Sequence, residues 1–156
     1  MTLQKSKPYI YFILLSVAVG ALSSFLTKDS MKAYEAVPKS SLTPPSFVFP
    51  IVWTILFILM GIGAAMVFRS RSVHRDRALL VFFVQPVVNF FWSIIFFNLQ
   101  AYLFAFVWLV LLWLLILLMI RLFYRVNKTA GLLQIPYLLW VTFAGYLNFV
   151  IWTLNR

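Results

Sequence analysis

The sequence contains few charged residues and no cysteine. Only 10% of its 156 residues are charged, whereas about a quarter of an average soluble domain is charged. A water-facing surface therefore cannot be built from this chain. Without cysteine there are no disulfides, no thiolate nucleophiles and no cysteine-ligated clusters. A single histidine lies in a polar segment among charged residues, so the sequence predicts no metal site and no bound cofactor.

Acidic residues are especially scarce. The chain has three, Asp29, Glu35 and Asp76, and all of them fall outside the uncharged stretches. Because no carboxylate lies within a span, a proton-coupled pump of the usual acidic type has no proton carrier. The sequence also offers no Ser–His–Asp set, no carboxylate pair and no phosphate-binding glycine loop. Ordinary acid–base catalysis is therefore not expected.

Long uncharged stretches make up most of the chain, at residues 8–27, 40–68, 78–120 and 131–155. About 20 helical residues cross a bilayer core, so the third stretch is too long for one span. Only Asn98-Leu99-Gln100 interrupts it, which predicts two helices joined by a tight turn. The sequence thus predicts an all-α, polytopic membrane protein whose single domain, residues 1–156, is a five-transmembrane-helix bundle. The helices are expected at about 8–26, 50–68, 78–97, 102–123 and 131–154.

Basic residues are distributed unevenly between the two ends of the predicted bundle. The N-terminal segment and the second and fourth connections hold nine Lys and Arg, and the opposite end holds four. By the positive-inside rule, this predicts a cytoplasmic N-terminus and an external C-terminus, as in a bacterial inner membrane. Topology and anionic lipid account for the net charge of +10, so the lipid bilayer is a predicted partner and nucleic acid is not.

Polar and small residues mark the helix faces expected to meet inside the bundle. Gln85, Asn89 and Ser93 recur every four residues on the third predicted helix, and such groups are costly against lipid. Gly20 and Ser24 follow the same spacing on the first helix and allow another helix to approach closely. The fourth predicted helix has no polar residue in its interior and is expected to be peripheral.

Tryptophans supply flat apolar surfaces. Trp53 and Trp140, together with Asn89, are expected to converge beneath the first connection, residues 28–49, which is predicted to be an ordered cover. Aromatic walls with an amide suit a large, flat, apolar ligand. Tryptophans also anchor helices at the membrane interface, and for Trp53 and Trp140 both interpretations stay open. The anchoring role is favoured for three others, Trp108, Trp113 and Trp152.

Motifs along the whole chain resemble those of the tryptophan-rich sensory protein family, the bacterial relatives (TspO) of the mitochondrial translocator protein or peripheral benzodiazepine receptor. The motifs are Tyr34-Glu35-Ala36-Val37, Ser41-Leu42-Thr43-Pro44-Pro45, Pro50-Ile51-Val52-Trp53-Thr54, Asn89-Phe90-Phe91-Trp92-Ser93 and Pro136-Tyr137-Leu138-Leu139-Trp140-Val141-Thr142-Phe143-Ala144. The resemblance implies five transmembrane helices, a homodimer and a pocket beneath the first connection. By motif, the implied ligand-binding residues are Tyr34, Pro44, Pro45, Trp53, Asn89, Trp140 and Ala144, with Ser24 and Ser93.

Two departures from the family pattern concern ligand preference. Leu42 stands where family members often have a tryptophan, so one aromatic wall is expected to be missing. Phe149 stands where the sterol-recognition pattern needs a tyrosine, and Arg156 lies too far downstream to complete it. Cholesterol is therefore not an expected ligand.

The resemblance implies a membrane receptor or carrier that binds porphyrin, other tetrapyrroles or benzodiazepine-type ligands, acts in sensing, transport or stress regulation, and needs no catalytic residue. One alternative is a light- and oxygen-dependent porphyrin-degrading enzyme, in which Trp53 and Trp140 would be the reacting residues. A second is a small-molecule exporter, which the interior aromatics favour although no buried acid is present for coupling.

Overall fold

The computed structural model describes residues 3–156, with side chains from Lys5 onward. Its helices are α1 (Leu3–Thr27), α2 (Met31–Ala36), α3 (Val48–Phe68), α4 (Arg75–Ser93), α5 (Tyr102–Val126), α6 (Lys128–Leu132) and α7 (Ile135–Asn155). A 3₁₀ turn, Lys28–Ser30, joins α1 to α2, and a π-helical turn, Ile94–Asn98, extends α4. No strand occurs among these residues. Five helical stretches are long and apolar enough to cross a membrane, which confirms the predicted all-α, five-span architecture.

The two ends of the bundle differ in their connections. We call one the arginine end, because six arginines lie in its connections or in the helix ends beside them: Arg69, Arg71, Arg75, Arg77, Arg121 and Arg125. We call the other the loop end, because residues 28–47 pass over it; these residues are the cover. At the loop end the predicted tight turn joins α4 to α5, and Gln100 in it has a φ of 50°, in the left-handed region.

Small residues bring α1 and α3 into close contact. A Cβ atom added to Gly61 would lie 2.5 Å from the Cα atom of Ile13, so only glycine lets the two backbones approach this closely. Gly20 meets the ring of Phe57 in the same way, since an added Cβ atom would lie 2.5 Å from Phe57 Cε2. The predicted small-residue face of the first helix is therefore used inside the protein.

The fourth span, which the sequence predicted to be peripheral, packs on α4, α6 and α7 along one face and leaves many of its other apolar side chains exposed. The indole N–H of Trp108 donates to the carbonyl of Val88 at 2.7 Å, and that of Trp113 donates to Thr142 Oγ1 at 2.8 Å. These two tryptophans thus tie α5 to its neighbours. One face of α5 is buried, formed by Ala105, Leu109, Leu112, Ile116, Met119, Leu122 and Phe123. Apolar side chains suit lipid and a helical neighbour equally, so hydropathy could not separate the two positions.

The fifth span is interrupted, where the sequence predicted one helix over 131–154. Asn127 caps α6, its Oδ1 accepting from the backbone N–H groups of Thr129 and Ala130 at 2.9 and 3.2 Å. The chain then breaks at Leu133 and Gln134 before α7 begins, and Pro136 lies in the first turn of α7. A proline has no N–H to donate to a preceding carbonyl, which favours a new helix start at this point.

Candidate ligand-binding site

A cavity of about 360 Å³ lies beneath the cover, between α1 and α3 on one side and α4 and α7 on the other. Its volume and its mostly apolar lining are typical of a small-molecule site. Seven of the nine residues implied by the family motifs line it: Ser24, Tyr34, Trp53, Asn89, Ser93, Trp140 and Ala144. Their part in ligand binding stays a prediction.

Pro44 and Pro45 do not line the cavity. The cover reaches the bundle on either side of them, through Ser40, whose hydroxyl shares a hydrogen bond of 3.1 Å with that of Tyr146, and through the start of α3. The carbonyl of Pro45 accepts from the N–H of Val48 at 3.0 Å, so this proline leads directly into α3. The two prolines therefore shape the chain behind the wall rather than the wall itself.

The indoles of Trp53 and Trp140 form parts of the wall on two different helices, α3 and α7. Trp53 stacks on Phe57 with ring centroids 5.8 Å apart. Trp140 meets Phe49 edge-on at 5.7 Å. Both rings are half-buried among other aromatic side chains of the site, so they offer flat apolar surfaces to an occupant. Between the two interpretations left open by the sequence, this position favours the pocket wall.

Trp140 also carries an unused hydrogen-bond donor. Its Nε1 atom is buried, and no acceptor lies within hydrogen-bonding distance among the described residues. A buried N–H group without a partner costs on the order of 1–3 kcal/mol. The atom has almost no accessible surface, so the ring of Trp140 lines the cavity while its N–H group does not.

A buried polar chain runs from the cavity toward the arginine end. Asn89 Nδ2 donates to the hydroxyl of Tyr137 at 2.8 Å, and that hydroxyl donates to Gln85 Oε1 at 2.7 Å. Gln85 Nε2 donates in turn to the carbonyl of Phe82 at 3.3 Å. The predicted polar stripe of α4 therefore faces the interior, and Asn89, which lines the cavity, is held in place from behind. Tyr137 was missed as a functional residue, although it belongs to the quoted helix-five motif.

A second polar contact fixes the cavity wall on the α5 side. The indole N–H of Trp92 donates to Asn148 Oδ1 at 3.2 Å, and Asn148 Nδ2 donates to the carbonyl of Tyr102 at 2.8 Å. Trp92 and Asn148 both line the cavity, and together with Tyr102 they join α4, α7 and α5. Sequence analysis did not select them as site residues, although both lie in or beside the motifs of the resemblance.

The π-helical turn places two further aromatic rings in the wall. Here the N–H of Leu99 bonds to the carbonyl five residues earlier, of Ile94, at 3.0 Å. The widened turn carries Phe96 and Phe97, whose rings lie 5.9 and 5.2 Å from that of Tyr34. Tyr34 on α2 is buried by these contacts and by the cover itself.

A lysine orders the cover around Tyr34. Lys39 Nζ donates to the carbonyls of Tyr34, Glu35 and Val37 at 2.8, 3.0 and 3.0 Å, at the C-terminal end of α2. Cations are favourable at a helix C-terminus, where carbonyls have no helical partner. The same ammonium lies 4.8 Å from the centroid of the Tyr34 ring. Lys39 therefore fixes the position of a side chain that lines the cavity.

The cover is also fastened to the ends of the long helices. Ser30 Oγ donates to Asn98 Oδ1, and Asn98 Nδ2 donates to the carbonyl of Leu26 at 3.1 Å. On the far side Asn155 Nδ2 donates to the carbonyl of Pro38 at 3.1 Å. The cover is thus an ordered part of the site.

The lining offers binding groups rather than acid–base groups. It consists of aromatic and aliphatic surfaces with a few amides and hydroxyls. Among the described residues of the lining, Lys28 is the only one with a charged side chain. No group of three His, Asp or Glu side chains within the described part of the chain is placed to hold a metal ion.

Comparison with known proteins agrees with this architecture. The family model described as TspO/MBR matches residues 12–153. The chain is 44% identical over 144 residues to the tryptophan-rich protein TspO of Chlorobaculum tepidum, covering 90% of this chain and 91% of that protein. It is 38% identical over 149 residues to the protein CrtK of Rhodobacter capsulatus, covering 94% and 91%. The translocator protein of Bos taurus is 27% identical over 153 residues, covering 96% and 90%.

Proposed function

This chain belongs to the TspO/MBR family, and from that premise we propose that it is a membrane receptor or carrier for porphyrin or other tetrapyrroles. It is an integral membrane protein with five helices of spanning length, and its family supports a sensory or regulatory role in that membrane. The ligand class is our proposal.

One observation carries the proposal: the cavity is mostly apolar and is walled by two indoles, Trp53 and Trp140, with Asn89 among its few polar groups. A tetrapyrrole is flat and largely apolar, so its faces can lie against the aromatic walls. Burial of the apolar ligand favours binding.

Fluorescence titration in the dark tests this proposal. Protoporphyrin bound beside the indoles is expected to quench tryptophan fluorescence saturably in detergent-purified protein. Replacing both wall indoles, Trp53→Phe with Trp140→Phe, should weaken binding roughly tenfold, because each indole loses one of its two rings and the apolar contact surface shrinks. Trp152→Phe is the matched control, since Trp152 is half-buried but lies outside the lining. An unchanged affinity in the double variant would contradict the placement.

The same two indoles leave one alternative open, the degradation of porphyrin with light and oxygen. Both rings line the cavity, where a bound porphyrin would lie against them. Illuminating the titrated sample decides between the two functions. Loss of the Soret band that requires folded protein and both indoles supports an enzyme. An intact spectrum, or the same products with heat-denatured protein, supports a receptor or carrier.

We further propose that the arginine end faces the cytoplasm of a bacterial cell, with the N-terminus inside and the C-terminus outside. Nine of the thirteen Lys and Arg residues belong to that end. The chain has no cysteine, so single substitutions give clean labelling sites. Lys32→Cys should react with a membrane-impermeant maleimide in intact spheroplasts, and Arg71→Cys should react only after lysis. A homodimer stays a prediction from the family resemblance.

A further inference from the structure

The cavity has an electrostatic asymmetry that its apolar walls do not explain. Lys28, at the junction of α1 and the cover, is the only charged side chain among the described lining residues. The deepest polar groups of the site, Asn89 and Asn148, are neutral amides. Any charge on an occupant would therefore meet its strongest partner at Lys28.

Among the described residues the ammonium of Lys28 makes no ion pair. It is exposed and lies 4.3 Å from the centroid of the ring of Phe25, a side chain outside the lining. The one ion pair within 4 Å in the described part of the chain joins Arg75 to Asp76, at the other end of the bundle. Lys39, by contrast, is held by three backbone carbonyls. The cover has two carboxylates: Asp29 follows Lys28 along the chain without an ion pair, and Glu35 accepts from Ser46 Oγ at 3.4 Å.

The position of Lys28 also determines the sign of the local potential. Carbonyl groups at the C-terminus of a helix carry partial negative charge, which disfavours an anion there. Lys28 directly follows the last residue of α1, Thr27, so the first residue after those carbonyls carries a positive charge. An acidic group reaching this edge of the cavity would meet attraction where the helix alone would give repulsion.

We propose that Lys28 makes the cavity selective for flat ligands that carry a peripheral carboxylate, with the ring system between the aromatic walls and the carboxylate at the ammonium. This inference rests on the proposed tetrapyrrole-binding function and deepens it, because it distinguishes acidic tetrapyrroles from their neutral esters. A charge-assisted hydrogen bond is stronger than a neutral one, and at an exposed site it weakens as salt rises.

A comparison of protoporphyrin IX with its dimethyl ester tests the proposal, because the two share a ring and differ in two carboxylates. Titrations are made with the full chain in uncharged detergent, at low and high salt. Lys28→Gln should weaken binding of the acid roughly three- to tenfold and leave the ester within about twofold. Lys28→Arg should retain the preference for the acid, and Lys28→Glu should reduce it further than Lys28→Gln. The wild-type preference for the acid should shrink at high salt.

Lys32→Gln is the matched control, since Lys32 is exposed on the same cover but lies outside the lining. If Lys28→Gln weakens acid and ester equally, or if Lys32→Gln has the same effect, the selectivity role is overturned while tetrapyrrole binding stands. If neither ligand binds the wild-type protein saturably, the proposed function itself fails. Loss of ester binding in Lys28→Gln alone would show a structural effect, and this also overturns the proposal.

Discussion

The two halves of the bundle are built differently. Toward the arginine end the interior is solid: Met60, Ala64, Ala65, Val67, Ala78, Phe82, Met119, Phe123 and Ala130 are fully buried. Toward the loop end the helices separate around the cavity, and aromatic rings on α3 and α7 meet edge-on, as Phe49 and Trp140 do at 5.7 Å. Small residues let the helices pack closely toward the arginine end, and large aromatic residues keep them apart toward the loop end.

This difference between the halves shows how a bundle without charged residues in its interior can hold a ligand-binding cavity open. In lipid, apolar burial gives little preference for one helix arrangement over another, so close packing and interhelical hydrogen bonds must hold the helices. The solid half supplies that packing. The hollow half keeps its shape because Asn89 and Asn148 are bonded to groups on other helices. The cavity is thus supported from the solid half through Tyr137 and Gln85, and at the loop end through the bond between Asn148 and Tyr102.

The largest difference in unfolding free energy is expected when one methyl group is added to each half. Gly61→Ala places a Cβ atom 2.5 Å from the backbone of α1 and should cost about 3 kcal/mol, because neither backbone can yield locally. Gly145→Ala, in the other half, places its Cβ atom 3.7 Å from Leu109 Cδ2, an ordinary contact. It should stabilise α7 by about 0.5 kcal/mol, since alanine favours helix over glycine. Thermal unfolding in detergent measures the stability of both variants. Equal shifts of the unfolding midpoint would contradict the difference in packing between the halves.

A smaller loss of unfolding free energy is expected from a substitution where the two halves meet. Tyr137→Phe removes the hydroxyl between Asn89 and Gln85, leaving a buried donor and a buried acceptor unpaired. The expected loss is about 2 kcal/mol of unfolding free energy, accompanied by weaker ligand binding as Asn89 loses its support. Tyr146→Phe is the control, because its hydroxyl is bonded to Ser40 at an exposed position. It should change stability by less than about 0.5 kcal/mol. A Tyr137→Phe protein as stable as the control would mean that the polar chain does not support the cavity.

The smallest change in global stability is expected from a substitution in the cover. Lys39→Met removes three hydrogen bonds to the end of α2 while keeping the length of the side chain. Amide hydrogen exchange in residues 31–40 should accelerate roughly fivefold, and the midpoint of thermal unfolding should move by no more than about 1 °C. Lys32→Met, on the exposed face of α2, should leave exchange unchanged. Protection that is equal in both variants would show that Lys39 does not order the cover.

The sequence predicted the spans because charge-free length is a direct measure of bilayer crossing. It also predicted part of the cavity lining, since Trp53, Asn89 and Trp140 were selected from motifs and polar spacing before any contact was known. The buried face of α5 was not predicted, because a helix with only apolar side chains suits lipid and protein equally. The sites of Pro44 and Pro45 depend on the path of the cover, which is set by distant partners such as Tyr146.

The π-helical turn and the break before α7 could not be predicted, because both depend on contacts between residues distant in sequence. The π-helical turn at Ile94–Asn98 differs from an α-helix by a single shifted hydrogen bond, and the packing of Phe96 and Phe97 around Tyr34 accompanies that shift. The break before α7 has a local cause in Pro136, but its position depends on Gln134, whose amide donates to the carbonyl of Leu59 on α3 at 3.2 Å. Such contacts between distant residues leave no periodic signal in a single sequence.

The fastenings of the cover have a consequence for the speed of exchange. A molecule that enters or leaves past the cover must wait until bonds such as Asn98 to Leu26 and Asn155 to Pro38 open. When the occupied site keeps these bonds, their opening slows arrival and departure by the same factor and leaves the equilibrium constant unchanged. The residence time of an occupant then depends on residues that do not contact it. Breaking the bonds of the cover shortens the residence time without changing the affinity.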